Sequence, residues 1–277
     1  FEMLGNFSIG DYFKKEAVAL AWELITQRFG ISPDRVYATV YLDDDEAYQH
    51  WRDDIGIPEE RIYRYGGKDN WWGPAGTEGP CGPCSELHYD TGSEKGCNPI
   101  VEPDTLTALL REERESGIIP QIPGCHPNCE CERFVELWNL VFMQFYQDPQ
   151  RNLTPLPSPS VDTGAGLERV AAVLQGKASV YETDLFWPII EQVCELSGKT
   201  YGQDFDTDYA IRVVAEHIRA AAFLIGDGVV PGNEGRGYVL RRIIRRAIRY
   251  GRRLGLDEPF LNEVAEVVLT KFRHVYR

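Results

Sequence analysis

The 277 residues carry 29 Lys and Arg against 43 Asp and Glu, a formal net charge of −14, with 43% hydrophobic and 12% aromatic side chains. That length and apolar content can build one large or two ordinary globular domains, while the acidity argues against indiscriminate nucleic-acid binding. No apolar run reaches membrane-spanning length, no secretory leader is visible, and seven bunched cysteines do not read as a secreted disulfide framework, so a reducing, cytoplasmic setting is expected.

Phe1-Glu2-Met3 opens inside an apolar run without an initiator Met, and His274 to Arg277 closes in what reads as helix. The chain is therefore expected to be an internal fragment of a longer protein. Gly10-Asp11 predicts an N-cap for a helix over Tyr12 to Arg28, closed by Gly30. Val36, Ala38, Val40 and Leu42 alternate with Tyr37, Thr39 and Tyr41, the pattern of a strand. Residues 45–55 read as a short helix, 64–84 as a loop dense in Gly, Pro and Trp, and Ser85 to Asp90 as a strand. Residues 97–131 form a Cys- and Pro-rich insertion with a helical piece near Leu106 to Glu115. Phe134 to Tyr146 is a long strand, and residues 151–160 a Pro/Ser turn region.

Asp162-Thr-Gly-Ala-Gly-Leu-Glu-Arg169 follows, a Gly-rich turn into a helix with Leu167, Val170, Ala171 and Leu174 on one face and Gly176 as its stop. Beyond it the texture is helical. Asp184 is placed to cap a helix that ends at Gly198, with Pro188 in its first turn. Asp206 to Leu224 buries Ile211, Val214, Ala215, Ile218 and Ala222; after a loop from Gly226 to Gly237 come helices over Tyr238 to Leu254 and over 258–276. The predicted organisation is a mixed domain over 1–176 and an all-helical one over 177–277. Long helices do not alternate regularly with the strands, so an α+β fold with a mainly antiparallel sheet is expected rather than a doubly wound one.

Chemistry concentrates in a few places. In the 162–169 stretch, glycines admit a ligand to the backbone, a helix start attracts anions, Arg169 adds a fork of phosphate donors, and Asp162 suits an amino group. A nucleotide and an amine together would fit; a tight loop capping a core helix is the alternative. Arg236 to Arg253 holds eight arginines and no acid. Leu240, Ile243, Ile244, Ala247 and Ile248 would form its buried stripe, leaving Arg242, Arg245, Arg246, Arg249 and Arg253 outside, with Asn233 before it to meet a base edge. That favours nucleic acid over a solvated, calmodulin-binding or membrane-surface helix.

Cys81-Gly-Pro-Cys84 matches a thioredoxin-type motif, but in a loop before a strand, the wrong context for redox work. Cys97, Cys125, Cys129 and Cys131, with His126, are weak candidates for a zinc knot, since Cys-x3-Cys-x-Cys is not a regular zinc spacing. Trp71 and Trp72 read as a packing plug or a pocket wall. Glu86, His88 and Asp90 share a strand face that suits Mg²⁺ with a triphosphate, or a polar outer face. Asn139 among Val141 and Met143 reads as a pocket residue or a satisfied buried amide. His217 reads as a packed or capping histidine.

Phe1-Glu-Met-Leu-Gly-Asn-Phe-Ser-Ile-Gly-Asp-Tyr-Phe13, Gly79-Pro-Cys-Gly-Pro-Cys-Ser-Glu86, Glu136-Leu-Trp-Asn-Leu-Val-Phe-Met-Gln-Phe145, the 162–169 stretch and Gly237-Tyr-Val-Leu-Arg-Arg-Ile-Ile-Arg-Arg246 resemble the bacterial alanyl-tRNA synthetase family, in its order and over nearly the whole chain. The resemblance implies a class II antiparallel sheet flanked by helices over 1–175, then a helical tRNA-recognition domain. It implies an ATP- and Mg²⁺-dependent ligase that forms alanyl-adenylate and charges the acceptor stem of tRNA(Ala). The ATP residues it implies are Phe1, Met3, Glu86, Gly164, Gly166 and Arg169. L-alanine would meet Trp72, Asn139, Val141, Asp162 and Gly164, with Asp162 and Arg169 as the catalytic pair. Asn233, Arg236, Arg242, Arg245, Arg246 and Arg249 would bind tRNA.

The family's motif 1 and the first strand of motif 2, with an arginine for the α-phosphate, are expected before residue 1. The editing and C-terminal domains and the family's usual zinc site are expected after residue 277, so this fragment alone is expected to be impaired. The insertion around 98–124 is longer than the family suggests, and nothing in the sequence speaks to oligomeric state. The alternatives are a paralogue that activates an amino acid without charging tRNA, and a non-catalytic RNA-binding module.

Overall fold

The computed structural model describes residues 1–276, which divide between Val170 and Ala171 into two units, with Phe1 grouped with the later residues. The first unit is built on strands β1 (Met3–Leu4), β2 (Phe7–Ile9), β3 (Val36–Tyr41), β4 (Ile62–Tyr65), β5 (Trp71–Trp72), β6 (Gly79–Asp90), β7 (Phe134–Gln147) and β8 (Leu153–Gly166). They form a sheet in the order β1-β8-β7-β6-β3-β4, with β2 also on β8 and β5 on β6. Only β3 and β4 run parallel. The antiparallel α+β fold expected from the sequence is the one observed.

Residues directly opposed across a sheet share a face. One face carries Ala38, Val40, Leu87, Leu140, Phe142, Val161 and Ala165, all buried. Helix α1 (Lys14–Trp22), continuing as a wider π-type turn over Glu23–Arg28, and α2 (Asp45–Gln49), continuing likewise over His50–Ile55, bury their own apolar residues with it. Phe13 meets Phe142 edge-on at 5.7 Å, and the buried Trp51 indole donates to Ser85 Oγ at 2.7 Å. Truncating Phe142 to Ala would cost about 3–5 kcal/mol. The dry face thus pins the strands and leaves the opposite face for chemistry.

Several predicted boundaries move. Helix α1 begins after Phe13 with no side-chain cap, so Asp11 is not its N-cap. The 64–84 stretch is not all loop: β5 and the first half of β6 lie in it, and Cys81-Gly-Pro-Cys84 sits in a strand at a shift of register between Cys81 and Cys84. Residues 153–160 are strand, not turn. Pro155, Pro157 and Pro159 stand at alternate positions, so their missing N–H groups all fall on one side of the strand. The glycines at 164 and 166 are likewise in extended chain, and β8 runs straight into α4 (Leu167–Leu174). Within α4 the buried residues are Glu168, Val170 and Ala172, while Leu174 is exposed. The insertion helix α3 (Pro103–Ser116) packs Leu106 against Tyr63, Tyr65 and Val101.

The second unit holds α5 (Trp187–Ser197), α6 (Phe205–Gly226), α7 (Gly235–Arg253) and α8 (Leu261–Phe272). Ile189, Ile190, Val193, Ile211, Val214, Ile218, Val264 and Val268 make its core. Asp184 does not cap α5; its carboxylate accepts from Gln175 Nε2 at 2.6 Å. Asp204 caps α6 by accepting the Thr207 N–H at 2.9 Å. Helix α7 begins three residues before the predicted start, and α8 stops at Phe272, short of 276; Arg277 lies outside the described residues. Gly251 faces the Phe260 ring, where an added Cβ would lie 2.2 Å from Cζ, so α7 can seat there only with a glycine.

Candidate active site

On the open face of the first unit's sheet, Thr39 opposes Glu86, Glu86 opposes Asn139, and Asn139 opposes Gly164. In the next row Cys84 opposes Val141, Val141 opposes Asp162, and Asp162 opposes Phe7. The register therefore brings Glu86, Asn139, Val141, Asp162 and Gly164 onto one patch, although they lie up to 78 residues apart in sequence.

Asn139 Nδ2 donates to Glu86 Oε1 at 3.1 Å, which leaves Asn139 Oδ1 as a buried acceptor without a partner among the described residues. Glu86 Oε2 is held by the Thr39 hydroxyl and by His88 Nε2, each at 3.1 Å. Asn70, fully buried, donates to Thr39 Oγ1 at 2.9 Å and to the Cys84 carbonyl at 3.2 Å. Glu86 is thus a buried carboxylate that orients the Asn139 amide, each of its oxygens accepting a hydrogen bond. Asp90, at the end of β6, is paired through its carboxylate with Arg133 at 2.8 Å. Asp162 is half-buried, burial raises its carboxyl above the ordinary range, and no hydrogen bond or ion pair reaches it among the described residues. Gly164 touches the Met3 thioether: a Cβ there would lie 2.9 Å from Sδ.

Arg169, half exposed in the first turn of α4, donates to Glu136 Oε2 at 2.7 Å. Its neighbour Glu168 turns inward and accepts the Glu2 N–H at 3.1 Å on each oxygen, fixing β1 beside the start of α4. Met3 opposes Gly166, and both Met3 and Phe7 lie exposed on the Asp162 face. Phe1, grouped with the other unit, is also exposed. The Trp pair divides its roles: Trp71 stacks on Phe145 at 5.9 Å, while Trp72 is half exposed opposite Gly82. The site is an open sheet face. Surface hollows of 470 and 500 Å³ flank α3 instead and include none of the expected ATP or alanine residues.

The cysteines sort into two groups. Cys81 and Cys84 are buried in β6, and burial raises both thiols, the reverse of a reactive redox pair. Cys97, Cys125, Cys129 and Cys131 converge, all four sulfurs lying within 4.8 Å of one another. His126 is not with them; its Nδ1 meets the Tyr65 hydroxyl at 2.8 Å. Burial raises the Cys131 thiol, but hydrogen bonds from the Arg133 and Cys97 backbone and from the Cys125 and Cys129 thiols outweigh it and bring it down to about 6.

In the second unit α7 buries Leu240 and Ala247 and half-buries Ile243, Ile244 and Ile248. Arg236, Arg242, Arg245, Arg246 and Arg249 are exposed. Arg242 stacks on Tyr238 and Arg246 on Tyr250, and Arg246 also donates to the Tyr209 hydroxyl at 3.0 Å. Asn233 Oδ1 accepts from Arg241, so its amide nitrogen is the end left to meet a ligand. His217 pairs with Glu216 at 3.0 Å, as a packed histidine would.

A family model described as tRNA synthetases class II (A) matches residues 1–277. The chain belongs to this family. It is 53% identical over 276 residues to a protein named alanine–tRNA ligase from Dehalococcoides mccartyi, and 49% and 50% identical to proteins of the same name from Natranaerobius thermophilus and Carboxydothermus hydrogenoformans. In each case all of this chain is matched, but only 29% of the relative. The chain therefore spans about three-tenths of the length of these relatives. No helix among the described residues of this class II chain is long and apolar enough to cross a membrane.

Sequence reasoning missed Thr39, Asn70 and Glu136. The first two lie in a strand and a loop that gave no sign of sharing a polar cluster with Glu86. Glu136 stood in the apolar run of β7, and only the position of α4 shows that it holds Arg169.

Proposed function

We propose that this class II chain is the aminoacylation core of an alanine–tRNA ligase, with catalytic residues in the first unit and tRNA-binding residues in the second. It would bind ATP and L-alanine, form alanyl-adenylate, and pass the alanyl group to the acceptor stem of tRNA(Ala) in the cytoplasm. The observation that carries this reading is the unpartnered, half-buried Asp162 carboxylate beside the unpartnered Asn139 Oδ1 acceptor. Two acceptors on adjoining rows of one face suit an ammonium group. Glu86 engages the amide nitrogen of Asn139, so the oxygen is the end left for the ligand. Val141 beside them offers an apolar surface to a methyl group, and the names of the relatives agree.

The alanine carboxylate then attacks the α-phosphorus; one P–O bond forms as the bond to pyrophosphate breaks. In the second step the terminal tRNA hydroxyl attacks the alanyl carbonyl and AMP leaves. No side-chain nucleophile is required, so positioning and charge neutralisation supply most of the rate. Arg169 exchanges Glu136 for the triphosphate, and Met3 and Phe1 offer apolar surface to adenine, with Gly164 and Gly166 leaving the backbone close to the nucleotide. Magnesium would neutralise phosphate charge. The exposed arginines of α7 suit the tRNA backbone, and Asn233 Nδ2 suits a base edge.

Alanine-dependent ATP–pyrophosphate exchange and charging of tRNA(Ala), measured on a full-length protein that carries this chain and on its Asp162→Asn variant, test the reading. Loss of alanine-dependent exchange in the variant, with tRNA binding kept, is expected. Exchange driven equally well by other amino acids, or indifferent to the substitution, would overturn it, and exchange without charging would favour a paralogue confined to activation.

A further inference from the structure

Four thiols outside the aminoacylation face meet at one point. Cys97 Sγ lies 3.4 Å from Cys129 Sγ, Cys125 Sγ lies 3.3 Å from Cys131 Sγ, and all four sulfurs fall within 4.8 Å of one another. A tetrahedral zinc with sulfur ligands at about 2.3 Å has S···S edges of about 3.8 Å, inside that range. Two disulfides would need S–S lengths near 2.05 Å, and all seven cysteines are free. We propose that Cys97, Cys125, Cys129 and Cys131 form a closed structural zinc site that clamps the two ends of the insertion together at the border of the sheet.

The frame around the sulfurs is built to hold them there. Cys125 N–H donates to the Pro99 carbonyl at 2.9 Å, and Val101 N–H to the Cys125 carbonyl at 2.9 Å, so the segments bearing Cys97 and Cys125 are laced by backbone bonds. Gly124 is at φ +143, and a Cβ there would lie 2.4 Å from the Pro99 carbonyl, so the approach that presents Cys125 requires glycine. The Cys129 N–H donates to the His126 carbonyl at 2.9 Å, closing a turn that brings the later sulfurs back toward Cys125. Arg133, just beyond Cys131, donates to both oxygens of Asp90 at the end of β6 and to Asn98 Oδ1 beside Cys97. On the other side the Tyr65 hydroxyl, at the end of β4, meets both His126 Nδ1 and the Asn128 N–H.

The insertion needs such a clamp. Its own core is small: only Val101 and Leu106 are buried with Tyr63 and Tyr65, with Ile100, Leu110 and Ile122 partly buried against them, and Ile118 and Ile119 after α3 are exposed. A segment with so small a core is the usual client of a structural metal. The spacing, one distant cysteine and then Cys-x3-Cys-x-Cys, is irregular because the ligands come from two chain segments joined through α3. Four thiolate ligands leave no open coordination position, so the ion would hold shape and take no part in catalysis. Binding releases the protons of those ligands still protonated and is therefore tighter at higher pH.

Metal analysis of the chain, purified under reducing conditions without added chelator, is expected to find about one equivalent of zinc per chain. Exchange for cobalt is expected to give the intense visible absorption of a tetrahedral centre with a sulfur-to-cobalt charge-transfer band. Cys97→Ser and Cys129→Ser, at an exposed and a half-buried ligand, are expected to weaken zinc binding roughly 100-fold or more, about a quarter of the free energy of a structural zinc site. Cys194→Ser, in the second unit, should leave the stoichiometry unchanged. Should either ligand variant fail to fold, the cobalt spectrum of the parent chain still decides the question. No metal with all four thiols open to alkylation, two disulfides by mass spectrometry, bound iron in place of zinc, or an octahedral cobalt spectrum would each overturn the assignment.

Discussion

Arg169 Nη1 lies 2.7 Å from Glu136 Oε2, so the arginine proposed for the triphosphate is held by a carboxylate on β7. Arg169 is half exposed and Glu136 a third, and an ion pair so open to solvent is worth about 1 kcal/mol or less, so a triphosphate competes with Glu136 easily. Glu136→Gln should therefore lower KM for ATP, by about 2- to 5-fold, with kcat little changed. Arg169→Ala removes the charge-assisted donors themselves and should reduce kcat/KM for ATP by about 100-fold, with Arg169→Lys recovering only part of it. Steady-state pyrophosphate exchange measures both. A raised KM in Glu136→Gln would mean that Glu136 positions Arg169 for the nucleotide.

Asp162 gives a prediction in pH. Burial raises its carboxyl above the ordinary range, and the alanine ammonium requires the ionised form. kcat/KM for alanine should thus fall on the acid side at a higher pH than an ordinary carboxylate would give. Asp162→Asn should cut it by about 100-fold at neutral pH. The same shift has an opposite consequence for stability. A carboxyl raised in the folded state favours folding when protonated; that contribution is present below the ordinary carboxylate range and is lost as pH rises through the raised value. Asp162→Asn should therefore raise the melting temperature at neutral pH and lose that advantage in acid, which thermal unfolding at the two pH values will show.

The legible parts were those where one residue pattern implies one structure. Alternation from Val36 marked β3, and the apolar stripe Leu240–Ala247 marked the buried side of α7. The helix start just after the glycines, with Arg169 in its first turn, was also legible, whereas the amine and phosphate roles of Asp162 and Arg169 are proposals. Punctuation misled where prolines fell in phase. Pro155, Pro157 and Pro159 read as a turn, yet alternate spacing makes them a strand with one proline-lined side. The commitment of Glu86 to Thr39, His88 and Asn139 depends on register across three strands, which no local pattern encodes. The grouping of Cys97 with three cysteines 28 to 34 residues later could be suspected from the sequence, but its irregular spacing gave only a weak signal and wrongly included His126.

Two glycines on adjacent parts of the sheet should respond oppositely to Ala. At Gly82 a Cβ would lie 2.0 Å from the Phe142 carbonyl oxygen, a backbone atom that cannot step aside, so Gly82→Ala should destabilise by about 3 kcal/mol or more and shift the midpoint of chemical unfolding strongly. At Gly164 the obstacle is the end of the flexible Met3 side chain, 2.9 Å from the would-be Cβ. Gly164→Ala should cost under about 1 kcal/mol, yet raise KM for ATP by moving Met3 and for alanine by narrowing the space beside Asn139. Comparable unfolding midpoints for the two variants would contradict this reading of the sheet.

The arginine helix can be separated from the chemistry by its salt dependence. Arg245 is exposed on α7 with no acidic partner among the described residues, whereas Arg246 is tied to Tyr209 and Tyr250. If Arg245 meets a phosphate, Arg245→Ala should weaken tRNA binding by about 1 kcal/mol and flatten the plot of log affinity against log salt by about one unit. If it reads a base edge, the loss should be about 1–3 kcal/mol at the cognate pair, with the salt slope little changed and discrimination between acceptor stems reduced. In either case alanine-dependent pyrophosphate exchange should be unaffected, because no residue of the Asn139–Asp162 face lies on α7. Binding titrations at several salt concentrations, with tRNA(Ala) and an acceptor-stem variant, distinguish the two roles. Loss of exchange together with binding would instead assign Arg245 to the stability of the helical unit.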